Sequence, residues 1–123
     1  LAGWDRNNFD RIIHLCYGLL LAYPIRELFF HLARARGFWS YFLPLDLTLS
    51  SSAFYEMIEW AAARVFGGEL GVAYVGTQGD PWDAQKDMAA ALYGSLLCMT
   101  LLLVVRALRG AESALESEAA LSE

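Results

Sequence analysis

Cysteine is scarce in this chain. The two present, Cys16 and Cys98, make no Cys-x-x-Cys pair, which excludes a disulfide scaffold and the common thiolate metal sites. Both read as small packing residues inside apolar segments. Proline is nearly as rare, at three residues, and with an apolar content of 57% this excludes collagen-like and disordered chains. Charge is thin as well: 19% of residues are charged, where about a quarter is ordinary. Bases number 9 against 14 acids without a basic patch, which argues against a nucleic-acid partner. The glycine-rich stretch before Asp80 lacks the Gly-Lys-Ser/Thr ending of a phosphate-binding loop, so it supports no nucleotide site. What is abundant is apolar surface. A mean hydropathy of +0.35 over 123 residues points to one compact membrane domain ahead of an unusually apolar soluble bundle.

The net charge of −5 is mostly a property of the end of the chain. Residues 110–123 hold Glu112, Glu116, Glu118 and Glu123 and no base, and the remainder carries 10 acids against 9 bases. This Ala/Glu/Ser segment is expected to be an acidic, flexible C-terminal tail, a solvated end or a frayed helix, following a transmembrane helical domain over residues 1–109. The chain starts at Leu1, with neither an initiator Met nor a signal-peptide pattern, so it is expected to be the C-terminal part of a larger bundle.

Three hydrophobic spans are expected, at about 10–33, 45–66 and 84–106. The last is the clearest: Met88 to Val105 is an uninterrupted uncharged run closed by Arg106 and Arg109, long enough for a membrane helix. Asp80-Pro81-Trp82-Asp83 before it reads as a helix start, with Asp80 as the cap. In the first span Leu15 to Ile25 is uncharged, and Asp10 to Arg26 rises about 24 Å as a helix. Arg26 is expected to snorkel outward to water, and Pro24 to kink the helix. The second span carries Asp46, Ser50, Ser51, Ser52, Glu56 and Glu59; at a helix centre each charge costs roughly 2.5–3.5 kcal/mol on insertion scales. Such a helix inserts only with its polar face turned to neighbours. Residues 67–80 between the second and third spans are expected to form a loop or re-entrant turn. Trp4, Phe9, Trp39, Tyr41, Trp60, Tyr74 and Trp82 fall near span ends, as interfacial anchors do.

The polar residues fall into stripes. Asp10, His14, Gly18 and Ala22 share one face of the first helix, Ser52, Glu56, Glu59 and Ala63 one face of the second, and Asp83, Asp87, Ala90 or Ala91, Gly94 and Cys98 one face of the third. Small residues within the stripes let membrane helices approach closely. Consecutive spans alternate in direction, so Asp10, His14, Glu56, Glu59, Asp83 and Asp87 all belong to one membrane face, with Arg64 and Lys86 nearby.

Three runs carry a family likeness. Gly76-Thr77-Gln78-Gly79-Asp80-Pro81-Trp82-Asp83-Ala84-Gln85-Lys86-Asp87-Met88 resembles the signature of the YjdF-like inner-membrane proteins, a bacterial family of unknown function. Asp10-Arg11-Ile12-Ile13-His14 with Gly18 to Leu28, and Glu56-Met57-Ile58-Glu59-Trp60, resemble its other hallmarks. The likeness covers roughly residues 4–109 and implies an all-α polytopic transmembrane bundle with further helices upstream of Leu1. More distantly, Asp-x-x-x-His followed by a Glu pair and spaced Asp residues is similar to the VanZ-like membrane proteins, linked to glycopeptide-antibiotic tolerance. Neither likeness implies an established reaction.

Five carboxylates and an imidazole cannot share a partly dry pocket without neutralisation. Three resolutions are open. A divalent cation, Mn, Zn or Mg by the donor types, could be held by His14, Glu56, Glu59, Asp83 and Asp87. Arg11, Arg64 and Lys86 could pair with the acids as a structural network. Or His14 and Glu56 could act as metal-free general acid and base. Asp80 and Asp83 are also explained by capping, and Asp10 by its place in a first helical turn; His14 and Glu56 are not. His31 reads as a surface histidine. Arg26, Arg34, Arg36, Arg106 and Arg109 lie at one face and Arg6, Arg11, Arg64 and Lys86 at the other. Taken as the cytoplasmic signal, the first group turns the acidic pocket to the periplasm. Two functional readings follow: a pocket for a metal, a lipid headgroup or a cell-envelope ligand in the bacterial inner membrane, or an accessory subunit of a larger membrane complex whose charges act as a brace.

Overall fold

The structure, a computed structural model, describes residues 8–68 and 80–120, with side chains as far as residue 113. All regular structure among the described residues is helical: α1 (Phe9–Leu32), α2 (Trp39–Phe66) and α3 (Asp83–Ala120). The glycine-rich connection expected over 67–80 lies, apart from its ends, outside the described residues, as do Trp4, Arg6 and Tyr74.

The interior is inverted relative to a water-soluble protein. Among the described residues the buried polar and charged ones are His14, Arg26, Ser40, Thr48, Ser52, Glu59, Asp87 and Ser95, whereas the buried hydrophobic ones are only Ala22, Ala90, Ala91 and Met99. Large apolar side chains such as Leu20, Leu28, Phe54, Tyr93, Leu97 and Leu103 point outward. In water this arrangement would expose most of the hydrophobic surface; in lipid it satisfies the polar groups and leaves apolar surface against acyl chains.

Two helices, Phe9–Leu32 and Asp83–Ser113, are long and apolar enough to cross a membrane, and less than a third of the most apolar window in either is buried (22% and 28%). The helix α2 is long enough but too polar to meet the same standard, so two of the three expected spans are supported by length and composition. It starts at Trp39, six residues before the expected Leu45, and takes Pro44 into its buried face.

Side-chain pairs fix the directions. His14 meets Ser52 and Arg26 meets Ser40, so α2 runs antiparallel to α1. Arg11 meets Asp83 and Asp87 at one end, and Gly18 lies against Ala91 and Ser95 further along, so α1 and α3 run parallel. The turn from α1 to α2 uses left-handed backbone at Arg34 (φ 53°) and Gly37 (φ 56°), and α2 stops at Gly67 and Gly68, also at positive φ.

The α1–α3 contact is the most extensive of the three helix pairs, and it is made by backbone. A Cβ on Gly18 would overlap the Ala91 carbonyl oxygen and lie 2.9 Å from Ser95 N; one on Gly94 would overlap the Leu15 carbonyl oxygen and lie 2.7 Å from Leu19 N. Cys98 is half-buried beside this seam, but Cys16 is exposed on the outer face, contrary to the packing role expected of it: position 16 is two residues past His14 and turns away from the stripe.

One other expectation needs correcting. Arg26 does not snorkel. It is 1% exposed, because it continues the four-residue repeat of His14, Gly18 and Ala22 onto the inward face. Beyond its apolar run α3 continues as helix to Ala120, into the segment expected as a solvated end or a frayed helix.

Replacing Gly18 or Gly94 by Leu is expected to lower the thermal midpoint in detergent sharply, by at least the roughly 1–3 kcal/mol of ordinary overpacking, because backbone cannot rotate aside. Gly110→Ala, with open space around it, serves as the control and should leave the midpoint unchanged.

Candidate functional site

At the shared end of the three helices the charges divide into two groups. The first is built on α1 and α2. His14, on the inward stripe of α1, is 5% exposed. Its Nδ1 lies 2.9 Å from Ser52 Oγ, one turn before Glu56 on α2, and its Nε2 lies 3.2 Å from Glu56 Oε1 and 3.8 Å from Asp10 Oδ1. One donor atom from each of Asp10, His14 and Glu56 falls within 4.8 Å of the others. Glu56 Oε1 is fully buried and completes no hydrogen bond, although the Nε2 atom is near. The Tyr55 ring stands edge-on to His14, 5.7 Å between centroids.

The second group joins α1 to α3. Arg11 donates from Nη2 to Asp83 Oδ1 at 2.8 Å and from Nε to Asp87 Oδ1 at 3.1 Å, and its Nη1 reaches Asn8 Oδ1 at 3.4 Å. Asp87 is nearly enclosed, with 4% of its side chain exposed. One guanidinium thus serves two carboxylates, the forked geometry for which arginine is suited. Lys86 pairs outside this network, with Asp80, whose Oδ1 also accepts from Trp82 N at 3.0 Å in the turn that leads into α3.

The five residues expected to share one metal therefore do not converge. His14 and Glu56 stand together, but Asp83 and Asp87 are held by Arg11, and Glu59, though buried, is not part of the donor triangle. Arg64 is exposed and makes no ion pair among the described residues. Asp10 takes the third corner; its place beside His14 on the stripe is expected, but as an acid in a first helical turn it is not counted among the expected metal ligands. Ser52 belongs to the expected polar stripe of α2 without a role assigned to it there; in the structure its hydroxyl meets the imidazole. Ser and Glu one turn apart, facing Asp and His one turn apart on an antiparallel helix, is the signal that identifies the set.

Beside His14 a groove of about 330 Å³ opens between α1 and α2, lined by Ile13, His14, Tyr17, Ser51, Ser52 and Tyr55. Tyr17 and Ser51 share a hydrogen bond of 2.6 Å across it.

At the far end the polar residues do a different job. Arg26 pairs with Glu27 at 2.6 Å, reaches Ser40 Oγ at 3.5 Å and lies over the Tyr41 and Phe30 rings at 4.9 and 5.5 Å. Arg106 of α3 donates to the Tyr41 hydroxyl at 3.3 Å. All three helices meet there through aromatic and guanidinium groups. His31, the exposed histidine at this end, is 3.6 Å from Glu27.

An interior of small and charged residues, an apolar exterior and a polar cluster at one helix end define the class: an α-helical membrane protein. The chain belongs to the family described as "Predicted membrane protein (DUF2238)", which it matches over residues 1–108. It is 41% identical over 95 residues to the inner membrane protein YjdF of Escherichia coli (strain K12), an alignment covering 76% of this chain and 45% of that protein. The chain thus spans less than half the length of that relative. Neither match shows the VanZ likeness. No solved structure matches.

The two charge groups predict different responses to substitution. Arg11→Met leaves Asp87 enclosed without its cation and is expected to cost about 3–5 kcal/mol, the range for breaking a buried pair from one side. Adding Asp83→Asn and Asp87→Asn to that variant should recover most of the loss. Thermal midpoints of the parent and the two variants in one detergent check both expectations.

Proposed function

We propose that this chain forms three spans of a multi-pass inner-membrane protein and that its His14 end is a binding site for the polar part of a membrane lipid or cell-envelope intermediate. The three-span reading has a topological basis. With α1 and α3 parallel and both apolar enough to cross, the chain must return between them, and α2 is the antiparallel element packed on both. At 28 residues it extends about 42 Å, more than the roughly 30 Å of a hydrocarbon core. Ser52, Glu56 and Glu59 are accommodated because they turn toward α1.

The observation that carries the ligand reading is the groove. It connects the apolar flank of the α1–α2 pair to buried His14 and Ser52, so an amphiphile can lay its apolar part along Ile13 and Tyr55 and bring its polar part to the imidazole. A brace of paired charges has no need of such an opening. The polar groups such a ligand meets on the groove wall are the His14 imidazole and the hydroxyls of Ser51, Ser52, Tyr17 and Tyr55. The exposed Arg34, Arg36, Arg106 and Arg109 at the opposite end favour that end as cytoplasmic, which turns the groove's polar end to the periplasm.

Ile13→Trp, which fills the groove from its wall, is expected to reduce co-purifying phospholipid several-fold, measured by mass spectrometry after mild-detergent extraction. Ile12→Trp, equally exposed to lipid but outside the groove, should not. Equal lipid content in the two variants and the parent would count against the site. If the chain were also found only in a fixed-stoichiometry complex, the accessory-subunit reading would take its place.

A further inference from the structure

We infer that Asp10, His14 and Glu56 form a three-ligand site for a divalent transition-metal ion, zinc or manganese by donor type, on the Nε2 edge of the imidazole whose Nδ1 meets Ser52 at the groove. The inference deepens the reading of this cluster as a functional site and rests on it for the role of the groove, but not for the metal.

The argument starts from donors and acceptors. The nearest polar atom to His14 Nδ1 is Ser52 Oγ, a group that can accept from Nδ1–H; the ring then presents the lone pair of Nε2 to Asp10 and Glu56. Protonating Nε2 instead should give a good hydrogen bond to Glu56, yet at 3.2 Å none is completed and Glu56 Oε1, buried, has no hydrogen bond at all. Its side chain is nine-tenths enclosed, at 9% exposure. A buried carboxylate oxygen facing an imidazole nitrogen needs positive charge between them, which a proton on Nε2 or a metal ion can supply. The poor alignment of the pair for a hydrogen bond and the third donor at Asp10 favour the metal ion.

The spacing agrees. Metal–ligand bonds of about 2.0–2.2 Å place neighbouring donors roughly 3.0–3.5 Å apart in octahedral or tetrahedral geometry. The Nε2–Oε1 separation of 3.2 Å falls in that interval, and Nε2–Oδ1 at 3.8 Å is just beyond it. Asp10 is the ligand with room to adjust, its side chain being 42% exposed. Ser52 provides the outer hydrogen bond that orients a ligating histidine. One imidazole and two carboxylates suit zinc or manganese better than calcium, which takes more oxygens. Three protein ligands leave open positions, the arrangement of reactive rather than structural zinc sites. Arg11, by holding Asp83 and Asp87, keeps those carboxylates from competing for the ion.

The test is uptake by the full chain, purified in detergent, stripped with chelator and dialysed against ZnCl₂ and, separately, MnCl₂. The parent should retain close to one equivalent of at least one ion, bound at least tenfold more tightly than by Asp10→Asn or Glu56→Gln. Asp87→Asn should retain it as the parent does. Thermal midpoints establish that the variants are folded, and Asp10→Asn, altering a half-exposed residue, is the one least able to disturb the fold. Uptake by the parent no greater than by the Asp10→Asn/Glu56→Gln double variant would overturn the site, as would equal loss in Asp87→Asn. The groove variant Ile13→Trp separates this inference from the functional reading: undiminished metal with unchanged phospholipid leaves the metal site standing and removes the lipid role. Diminished phospholipid with no metal in any protein does the reverse.

Discussion

The close approach of α1 and α3 at Gly18 and Gly94 is the constraint on which the rest of the molecule depends. Lipid offers helices no hydrophobic reason to associate, so association rests on contact area and on polar groups that find partners. Where a glycine Cα lies against a facing carbonyl, the helix axes come near enough for short side chains and backbone to fill the seam, and Ala22, Ala90, Ala91 and Ser95 are all that is needed around it. That proximity brings Arg11 within reach of Asp83 and Asp87, and it leaves the outer flank of α1 free for α2, whose antiparallel course puts Ser52 and Glu56 beside His14. A bulkier seam would separate the charges from their partners before it disturbed anything else.

Much of this was legible from periodicity. The stripe Asp10, His14, Gly18, Ala22 and the acidic start of α3 were readable because helix geometry makes every fourth residue a neighbour and because the alternation of spans is a counting argument. What escaped was decided between helices. Arg26 continues the same stripe, but a charge twelve residues past His14 invites a snorkelling interpretation that depends only on side-chain length; its partners Ser40 and Tyr41 lie on a helix that starts six residues before the expected span. Pro44 is buried within that helix, in its second turn. The separation of the acids into two sets was equally invisible, because sequence order says which residues share a membrane face and says nothing about which carboxylate a guanidinium will choose.

That choice gives the two sets opposite characters. Arg11 spends its donors on Asp83 and Asp87, so the α1–α3 side of the cluster is nearly neutral and internally satisfied. The α1–α2 side retains Asp10 and Glu56 around one imidazole, with Glu59 buried on the same helix as Glu56. Satisfaction on one side and excess acceptors on the other is how a small bundle can keep a fixed scaffold and a receptive site in the same layer of the membrane. The far end shows the scaffold alone: Arg26, Glu27, Tyr41 and Arg106 link three helices through charge and ring contacts, and no metal-type grouping occurs there among the described residues.

The length of α3 has a mechanical meaning. Its 38 residues make a rod of about 57 Å, nearly twice the thickness of a hydrocarbon core. Its first turn is clamped to Arg11, its seam with α1 lies at Gly94, and its final turns stand clear of the bundle. A rod pivoting at that seam amplifies: a tilt of about ten degrees moves the helix end near Ala120 by roughly 7 Å. In a rod of this length the angle fixed at the Arg11 end determines where the far end of α3 lies.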